Sequence, residues 1–359
     1  MSTMFSYQQL LSFSKNIFLK MGCSKKDAET AAVSLLSADL RGIDSHGVAR
    51  LSGYVRLWEV KRIKTNPSIK IIHQTPSTAT IDGDAGLGLV VAPHAMKVAI
   101  KKAKQTGTGW VSVKNSNHFG IAGAHAMMAL QNDMIGIAMT NASALVAPTF
   151  STEKMLGTNP IAVAIPAGDE PAFVADFATT TAANGKLEIL QRKNAKMPIG
   201  WAQTKDGEPS TDPNALKHGG ALLPLGGDRE HGSHKGYALG AIVDIFSAVL
   251  SGANYGPWVP PFPAYIAMPQ NMPGEGIGHF FGAMRIDAFR PANEFKLNMD
   301  KWIQRFSSAK TIAGEKRVYI PGDIERETEA IRIKDGIYLL QTVIDDLKLL
   351  AEKFGIELC

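Results

Sequence analysis

Apolar residues recur at a spacing of three or four positions near both ends of the chain, whereas the middle alternates short β-like runs with helical stretches. Amphipathic helices are predicted over residues 5–20 and 25–40, and Ser24 is the expected N-cap of the second. Toward the C-terminus the pattern is helical again, over residues 323–331 and 339–353. Both ends of the chain are therefore predicted to be helical.

The middle of the chain has the pattern of an α/β protein. Runs rich in β-branched residues, bounded by Gly, Pro and Asn, predict strands over residues 69–72, 77–81, 109–114, 135–140, 162–165, 173–176 and 280–286. Helical spacing predicts helices between them, over residues 93–104, 121–131 and 237–250. Alternating helices and strands of these lengths are typical of a sheet covered by helices.

A hydroxyl, an imidazole and a guanidinium lie within six positions, at Ser45, His46 and Arg50. Helical spacing of the apolar residues that follow predicts a helix that begins at Asp44 or Ser45, the expected N-cap. Arg50 and Tyr54 would then share one helix face, where an anion could meet free backbone N–H groups and a bidentate guanidinium. The alternative is a capped surface helix whose arginine pairs with a structural carboxylate.

Composition narrows the class of protein. The chain has 359 residues and a formal net charge of +5 without a basic block, so nucleic acid is not an expected partner. Cys23 and Cys359 alone provide neither a disulfide framework nor metal-ligand spacing. We find no secretory leader and no apolar run of membrane-spanning length, so the predicted location is the cytoplasm, without contact to a membrane.

The usual nucleotide-binding motifs are absent from the sequence. There is no G-x-G-x-x-G, and Gly227 and Gly232 have the spacing of a Walker A loop but are followed by Ser233 and His234 instead of Lys and Ser or Thr. A dinucleotide would need an unusual site. His231 and His234 are spaced as metal ligands can be, but without further ligands they indicate a polar loop.

A second histidine, His118, lies where a predicted strand gives way to a helix, in the run Ser116-Asn117-His118-Phe119-Gly120. Connections of this kind often contact ligands in α/β proteins. An imidazole with an ordinary pKa of about 6.5 can exchange a proton near neutral pH, as oxidation of an alcohol requires. The alternative is a structural histidine.

Five separated segments occur in one order along the chain: residues 39–50, 116–120, 157–160, 176–180 and 234–237. Together they resemble the type 2 malate/L-lactate dehydrogenase family, which includes malate, ureidoglycolate and sulfolactate dehydrogenases and diketogulonate and cyclic ketimine reductases. The resemblance implies an α/β fold with a sheet domain that binds NAD(P) and is not a Rossmann domain, formed by residues 73–299. It further implies a discontinuous helical domain built from both termini, residues 1–72 and 300–359, and a homodimer with active sites near the subunit interface.

The resemblance also implies roles for individual residues. His118 is the expected proton acceptor, with His46 as the alternative, and Ser45, Arg50 and Tyr54 are expected to bind the substrate. The residues expected to contact the cofactor are Asn141, Gly157, Thr158, Asn159, Asp176, Phe177, Ala178, Lys235, Gly236 and Gly314. No metal is expected.

The activity implied by the resemblance is hydride transfer between malate and oxaloacetate with NAD, and NADP is the alternative cofactor. Lactate, ureidoglycolate, sulfolactate or diketogulonate, each a small carboxylate, could replace malate, and reduction of a cyclic ketimine is a further alternative. Outside the family, the residues leave open a metal hydrolase that uses His231 and His234, or a protein that only binds a carboxylate.

Overall fold

The computed structural model describes residues 3–358, so that Cys359 lies outside the described part of the chain. Its helices are α1 (Tyr7–Lys20), α2 (Lys25–Leu40), α3 (Leu51–Glu59), α4 (Gly88–Thr106), α5 (Ala122–Ala126), α6 (Asn184–Arg192), α7 (Ser233–Asp244), α8 (Ala292–Ser307), α9 (Asp323–Asp335) and α10 (Gln341–Phe354). Its strands are β1 (Met4–Phe5), β2 (Lys70–Gln74), β3 (Thr78–Asp82), β4 (Thr108–Ser116), β5 (Met134–Thr140), β6 (Ile161–Ile165), β7 (Phe173–Phe177), β8 (Ala202–Gln203), β9 (Pro209–Ser210), β10 (Ala221–Leu222), β11 (Ile277–Arg285) and β12 (Ile337–Tyr338).

A seven-stranded sheet in the order β2-β3-β4-β11-β5-β6-β7 forms the centre of the molecule. Strands β3 and β4 pair in parallel through the crossover helix α4, and the other neighbours are antiparallel. Strand β11 lies between β4 and β5, and it is buried over its first seven residues. Helix α4 packs closely on the sheet because Gly109 has no Cβ, which would lie 2.0 Å from the carbonyl oxygen of Ala99.

The two ends of the described chain share one apolar core. Leu36 of α2, Leu51 of α3 and Leu347 of α10 are buried in the same cluster. Strand β1 pairs with β12, which joins the N-terminal segment to the C-terminal one. The mixed α/β fold with a central sheet agrees with the sequence, while the exact division into residues 1–72 with 300–359 and 73–299 stays a prediction.

The helix that was predicted to begin at Asp44 or Ser45 begins only at Leu51. Two 3-10 turns, Asp44–His46 and Val48–Arg50, precede it, and neither Asp44 nor Ser45 caps it. The prediction was wrong because Gly47, with φ −89° and ψ −141°, interrupts the helical backbone between the two turns. Within residues 3–358, no helix is both long and apolar enough to cross a membrane.

Candidate active site

Five side chains from three segments meet above the sheet. The rings of His46 and His118 stack with centroids 5.6 Å apart and planes at 25°. The Tyr54 hydroxyl lies 2.6 Å from Nδ1 of His118, and the Ser45 hydroxyl lies 2.9 Å from Nδ1 of His46. Nε of Arg50 donates to the carbonyl oxygen of Ser45 at 2.6 Å. The structure thus brings together all the residues that were expected to handle the substrate.

A small cleft of about 70 Å³ lies beside this cluster. Both histidines line it, together with Asn141 and Thr158 from the expected cofactor set and Phe262, which the sequence did not indicate. A volume of this size suits a small polar molecule, whereas pockets for larger ligands usually have about 300–1,000 Å³.

Asp39 holds the turns that carry the substrate residues. Its carboxylate, buried at the end of α2, accepts a hydrogen bond from the backbone N–H of Val48 at 2.8 Å. A Cβ at Gly47 would lie 2.1 Å from this carboxylate, so only glycine fits there. Burial, the largest cause, raises the pKa of Asp39 to about 8. The close contact explains why the turns are not a continuous helix.

Burial keeps both site histidines neutral at pH 7. It lowers the pKa of His46 to about 4, with a smaller contribution from the positive charge of Arg50. The pKa of His118 is held well below its ordinary value of 6.5 by burial first and then by His46 and Arg50. The ordinary imidazole pKa of about 6.5, on which the sequence-based expectation rested, is therefore wrong for the ligand-free protein. Burial raises the pKa of Tyr54, so its hydroxyl stays protonated.

A third histidine, which the sequence analysis missed, lies beneath the cleft. Nε2 of His279 on β11 is 2.7 Å from the hydroxyl of Ser116 on β4, and its Nδ1 is 2.7 Å from the hydroxyl of Thr140 on β5. Burial lowers the pKa of His279 to about 3, so it joins the two hydroxyls as a neutral ring. No sequence signal marked His279, because β11 is far from β4 and β5 along the chain.

The side chain of Asn141 is occupied by the fold. Its amide nitrogen donates to Asp244 at 2.9 Å and to the carbonyl oxygen of Asn254 at 2.8 Å, and its oxygen accepts from the N–H of Gly278 at 3.0 Å. Asn141 nevertheless lines the cleft. Its side-chain nitrogen and oxygen already bond to other loops, so a ligand in the cleft would contact other atoms of Asn141.

Residues 157–159 form a wall that packs closely against Ala142. A Cβ at Gly157 would lie 2.2 Å from the carbonyl oxygen of Ala142, and the buried Asn159 accepts from the N–H of Ala142 at 3.1 Å. The carbonyl oxygen of Thr158 accepts from the N–H of Thr179 at 2.9 Å. The structure therefore places these three residues beside the cleft.

The other expected cofactor residues lie in three further places. Asp176 and Phe177 end β7, with Ala178 directly after them, and Asp176 accepts from the N–H of Gly123 at 2.7 Å. Burial raises the pKa of Asp176 to about 6. Lys235 is exposed in the first turn of α7, and Gly236 packs against Leu225 in the same turn.

Gly314 is not brought to the cleft by its own chain. It is exposed between α8 and α9, with φ +93° and open space where a Cβ would be.

The loop before α7 is also exposed. Nδ1 of His231 contacts Asp228 at 2.8 Å, and Nδ1 of His234 lies 3.1 Å from Arg229. In the part of the chain that the structure describes, no three His, Cys, Asp or Glu side chains are grouped so that they could hold a metal ion.

Comparison with known proteins identifies the family of the chain. A family model described as malate/L-lactate dehydrogenase matches residues 5–348. Malate dehydrogenase of Pyrococcus horikoshii is 43% identical over 350 residues, which cover 97% of this chain and 95% of that protein. L-sulfolactate dehydrogenase of Methanocaldococcus jannaschii is 38% identical over 344 residues, 96% of this chain and 95% of that protein.

The fold has solved relatives as well. The crystal structure of malate dehydrogenase from Entamoeba histolytica matches with a TM-score of 0.91 and 35% identity, and the match covers 99% of this chain and 98% of that one. The chain therefore belongs to the malate/L-lactate dehydrogenase family and is an oxidoreductase that acts on 2-hydroxy acids.

Proposed function

We propose that the protein is a malate dehydrogenase that interconverts malate and oxaloacetate with NAD. The observation that supports this most directly is the cluster of Arg50, Tyr54 and His118, in which a guanidinium lies near a half-buried imidazole that lines a small cleft. The identity to relatives named malate dehydrogenase supports the choice of malate among the 2-hydroxy acids.

Arg50 is the proposed anchor for the substrate carboxylate. Its Nε donates to the carbonyl oxygen of Ser45, which orients the guanidinium. The terminal NH₂ groups can then donate two parallel hydrogen bonds to a carboxylate, a geometry that arginine provides and lysine does not.

His118 is the proposed proton-transfer residue. When the Tyr54 oxygen accepts from Nδ1–H of His118, the Nε2 lone pair is free to take the hydroxyl proton of malate. In the reverse direction Nε2–H returns this proton to the oxygen of the reduced substrate. Two bound carboxylates beside Arg50 offset its positive charge, and this favours the protonated imidazole in the complex. A nicotinamide cofactor, when bound, accepts or supplies the hydride.

The described residues fit such a cofactor. No side chain among the described residues caps the N-terminus of α7, where the exposed ammonium of Lys235 lies, and this positive end of the helix suits the phosphates. Gly157 and Gly236 each let two backbone segments pack closely, since a Cβ at either would lie 2.2 Å from a backbone oxygen. Asp176 would hold a ribose, and its carboxylate is the reason to propose NAD before NADP, because it would repel a 2′-phosphate.

We propose a homodimer with the active sites near its interface, as the family resemblance implies. The stretch from α7 to Leu250 has exposed apolar residues at helical spacing, which form a single stripe: Ile242, Ile245, Phe246, Val249 and Leu250. A second copy is the proposed occupant because α7 also carries Lys235 of the candidate cofactor site. We further propose the non-Rossmann division into domains, since most of the central sheet is antiparallel, and a cytoplasmic location.

Substrate and cofactor are tested together by following NADH and NADPH absorbance with a panel of oxaloacetate, pyruvate, sulfopyruvate and a cyclic imine. We expect the highest kcat/KM for oxaloacetate with NADH. A cyclic imine or sulfopyruvate that is reduced with a higher kcat/KM would contradict the malate assignment.

The dimer is tested by light scattering of the wild type and of Ile245→Asp, a charged variant that should dissociate the dimer. A wild-type monomer with full activity would refute the proposed homodimer.

A further inference from the structure

Phe262 contacts three of the residues that handle the substrate, although the proposed mechanism gives it no role. Its ring centroid lies 4.8 Å from that of His118 and 5.4 Å from that of Tyr54, with planes at 82° to the latter. The guanidinium carbon of Arg50 lies 5.8 Å from the same centroid. The ring therefore borders the space between the carboxylate anchor and the proton-transfer residue.

The backbone around Phe262 is unusually restricted. Pro261 precedes it and Pro263 follows it, and a residue before proline is confined to extended conformations. Nη2 of the half-buried Arg62 donates to the carbonyl oxygen of Pro261 at 2.5 Å, which fastens this segment to the residues after α3. The ring is therefore a fixed wall of the cleft.

The ring of Phe262 packs against helix α3. A Cβ at Gly53 would lie 2.5 Å from Cε1 and 2.7 Å from Cζ of Phe262, so the aromatic ring occupies the space that a larger residue would fill. The same ring also meets Tyr54 of α3, so the helix contacts it at two successive residues.

We propose that Phe262 determines substrate specificity by limiting the size of the group on the carbon that carries the oxo or hydroxyl oxygen. The argument rests on the proposed function. Arg50 fixes the carboxylate and His118 fixes the oxygen, so the third substituent on that carbon must share the remaining space with the Phe262 ring. A small substituent can lie beside the ring, whereas a bulky one such as a benzyl group would collide with it.

The test compares kcat/KM for oxaloacetate with kcat/KM for phenylpyruvate, an aromatic 2-oxo acid with a much larger third substituent, with NADH. Phe262→Ala should raise the ratio of kcat/KM for phenylpyruvate to that for oxaloacetate by about tenfold or more, and Phe262→Leu by less, because hydrophobic pockets discriminate about 10–200-fold per methylene. Phe289→Ala, which removes an aromatic ring that is 71% exposed, is the matched control and should leave the ratio unchanged.

Gly53→Ala completes a double-mutant cycle. Alone it must displace the ring and should lower kcat/KM for oxaloacetate; in the Phe262→Ala background the added methyl meets no ring and should have little effect. Equal effects of Gly53→Ala in both backgrounds would overturn the proposal, as would an unchanged ratio in both Phe262 variants. If Phe262→Ala does not fold, Phe262→Leu keeps the test decisive, because the same substrate ratio can be measured in that variant.

The two proposals fail in different ways. A wild-type protein that reduces no 2-oxo acid would refute the proposed function. A wild-type protein that reduces oxaloacetate, combined with a substrate ratio that does not respond to Phe262, would refute only the specificity role.

Discussion

Replacing His118 by alanine should have two separable consequences. The first is a fall in kcat of about 10²–10⁴-fold, the usual range for the loss of a general acid–base group. The second is a loss of stability, because the buried Tyr54 hydroxyl loses the imidazole that lies 2.6 Å away. An orphaned buried hydroxyl lowers the free energy of unfolding by about 1–3 kcal/mol.

The double variant Tyr54→Phe/His118→Ala separates these effects. Phenylalanine removes the hydroxyl that the single variant leaves unpaired, so urea unfolding followed by circular dichroism should show a recovery of about 1–2 kcal/mol. The kcat, measured from NADH absorbance at saturating oxaloacetate, should stay low. A fluorescence titration should show that NADH still binds to both variants. If kcat recovered together with stability, the loss in the single variant would reflect a disturbed fold and not a missing proton-transfer group.

His46→Ala is the matched comparison, since the half-buried His46 stacks on His118 with ring centroids 5.6 Å apart. We expect it to raise KM more than it lowers kcat, because its loss weakens the ground state and the transition state alike. A kcat that stays within about tenfold of wild type in His118→Ala but falls by about 10²-fold or more in His46→Ala would refute the assignment and transfer the role to His46.

Three further predictions follow from the site. Arg50→Lys keeps the charge but loses the bidentate contact, so the KM for oxaloacetate should rise by about tenfold or more while the Kd of NADH changes little; equal changes in the two constants would remove Arg50 from the substrate site. Burial holds the pKa of His118 well below 6.5 in the free protein, and a bound dicarboxylate should raise it. The fall in the rate of malate oxidation at acid pH should therefore occur at higher pH in the profile of kcat than in that of kcat/KM. Profiles that fall at the same pH would contradict this reasoning. Since the folded pKa of Asp39 is about 8 against an ordinary value of 3.8, the folded state holds the proton more tightly, so stability should fall as pH rises between these values. Asp39→Asn should flatten that part of the Tm profile, and a parallel profile would show that Asp39 does not cause it.

Local periodicity was enough to predict most of the elements. Residues 5–20 and 25–40 form α1 and α2 nearly as expected, and the strand predicted over 135–140 is β5. These predictions succeed because helical and strand periods are properties of neighbouring residues. The helix predicted from Ser45 fails because its start depends on a contact between Asp39 and the backbone at Gly47 and Val48, which a helical pattern does not reveal.

The sequence by itself also indicated the family, through five ordered segments, and named the five residues that cluster around His118. What the tertiary structure decided is how they act on one another. The pair of Tyr54 and His118 is separated by 64 positions, and Phe262 and His279 come from segments still further along the chain. The low pKa of both site histidines likewise depends on burial and on neighbouring charges. The distances between these side chains, their burial and the effect of neighbouring charges are set only when segments remote in sequence pack together. No local sequence pattern could therefore reveal them.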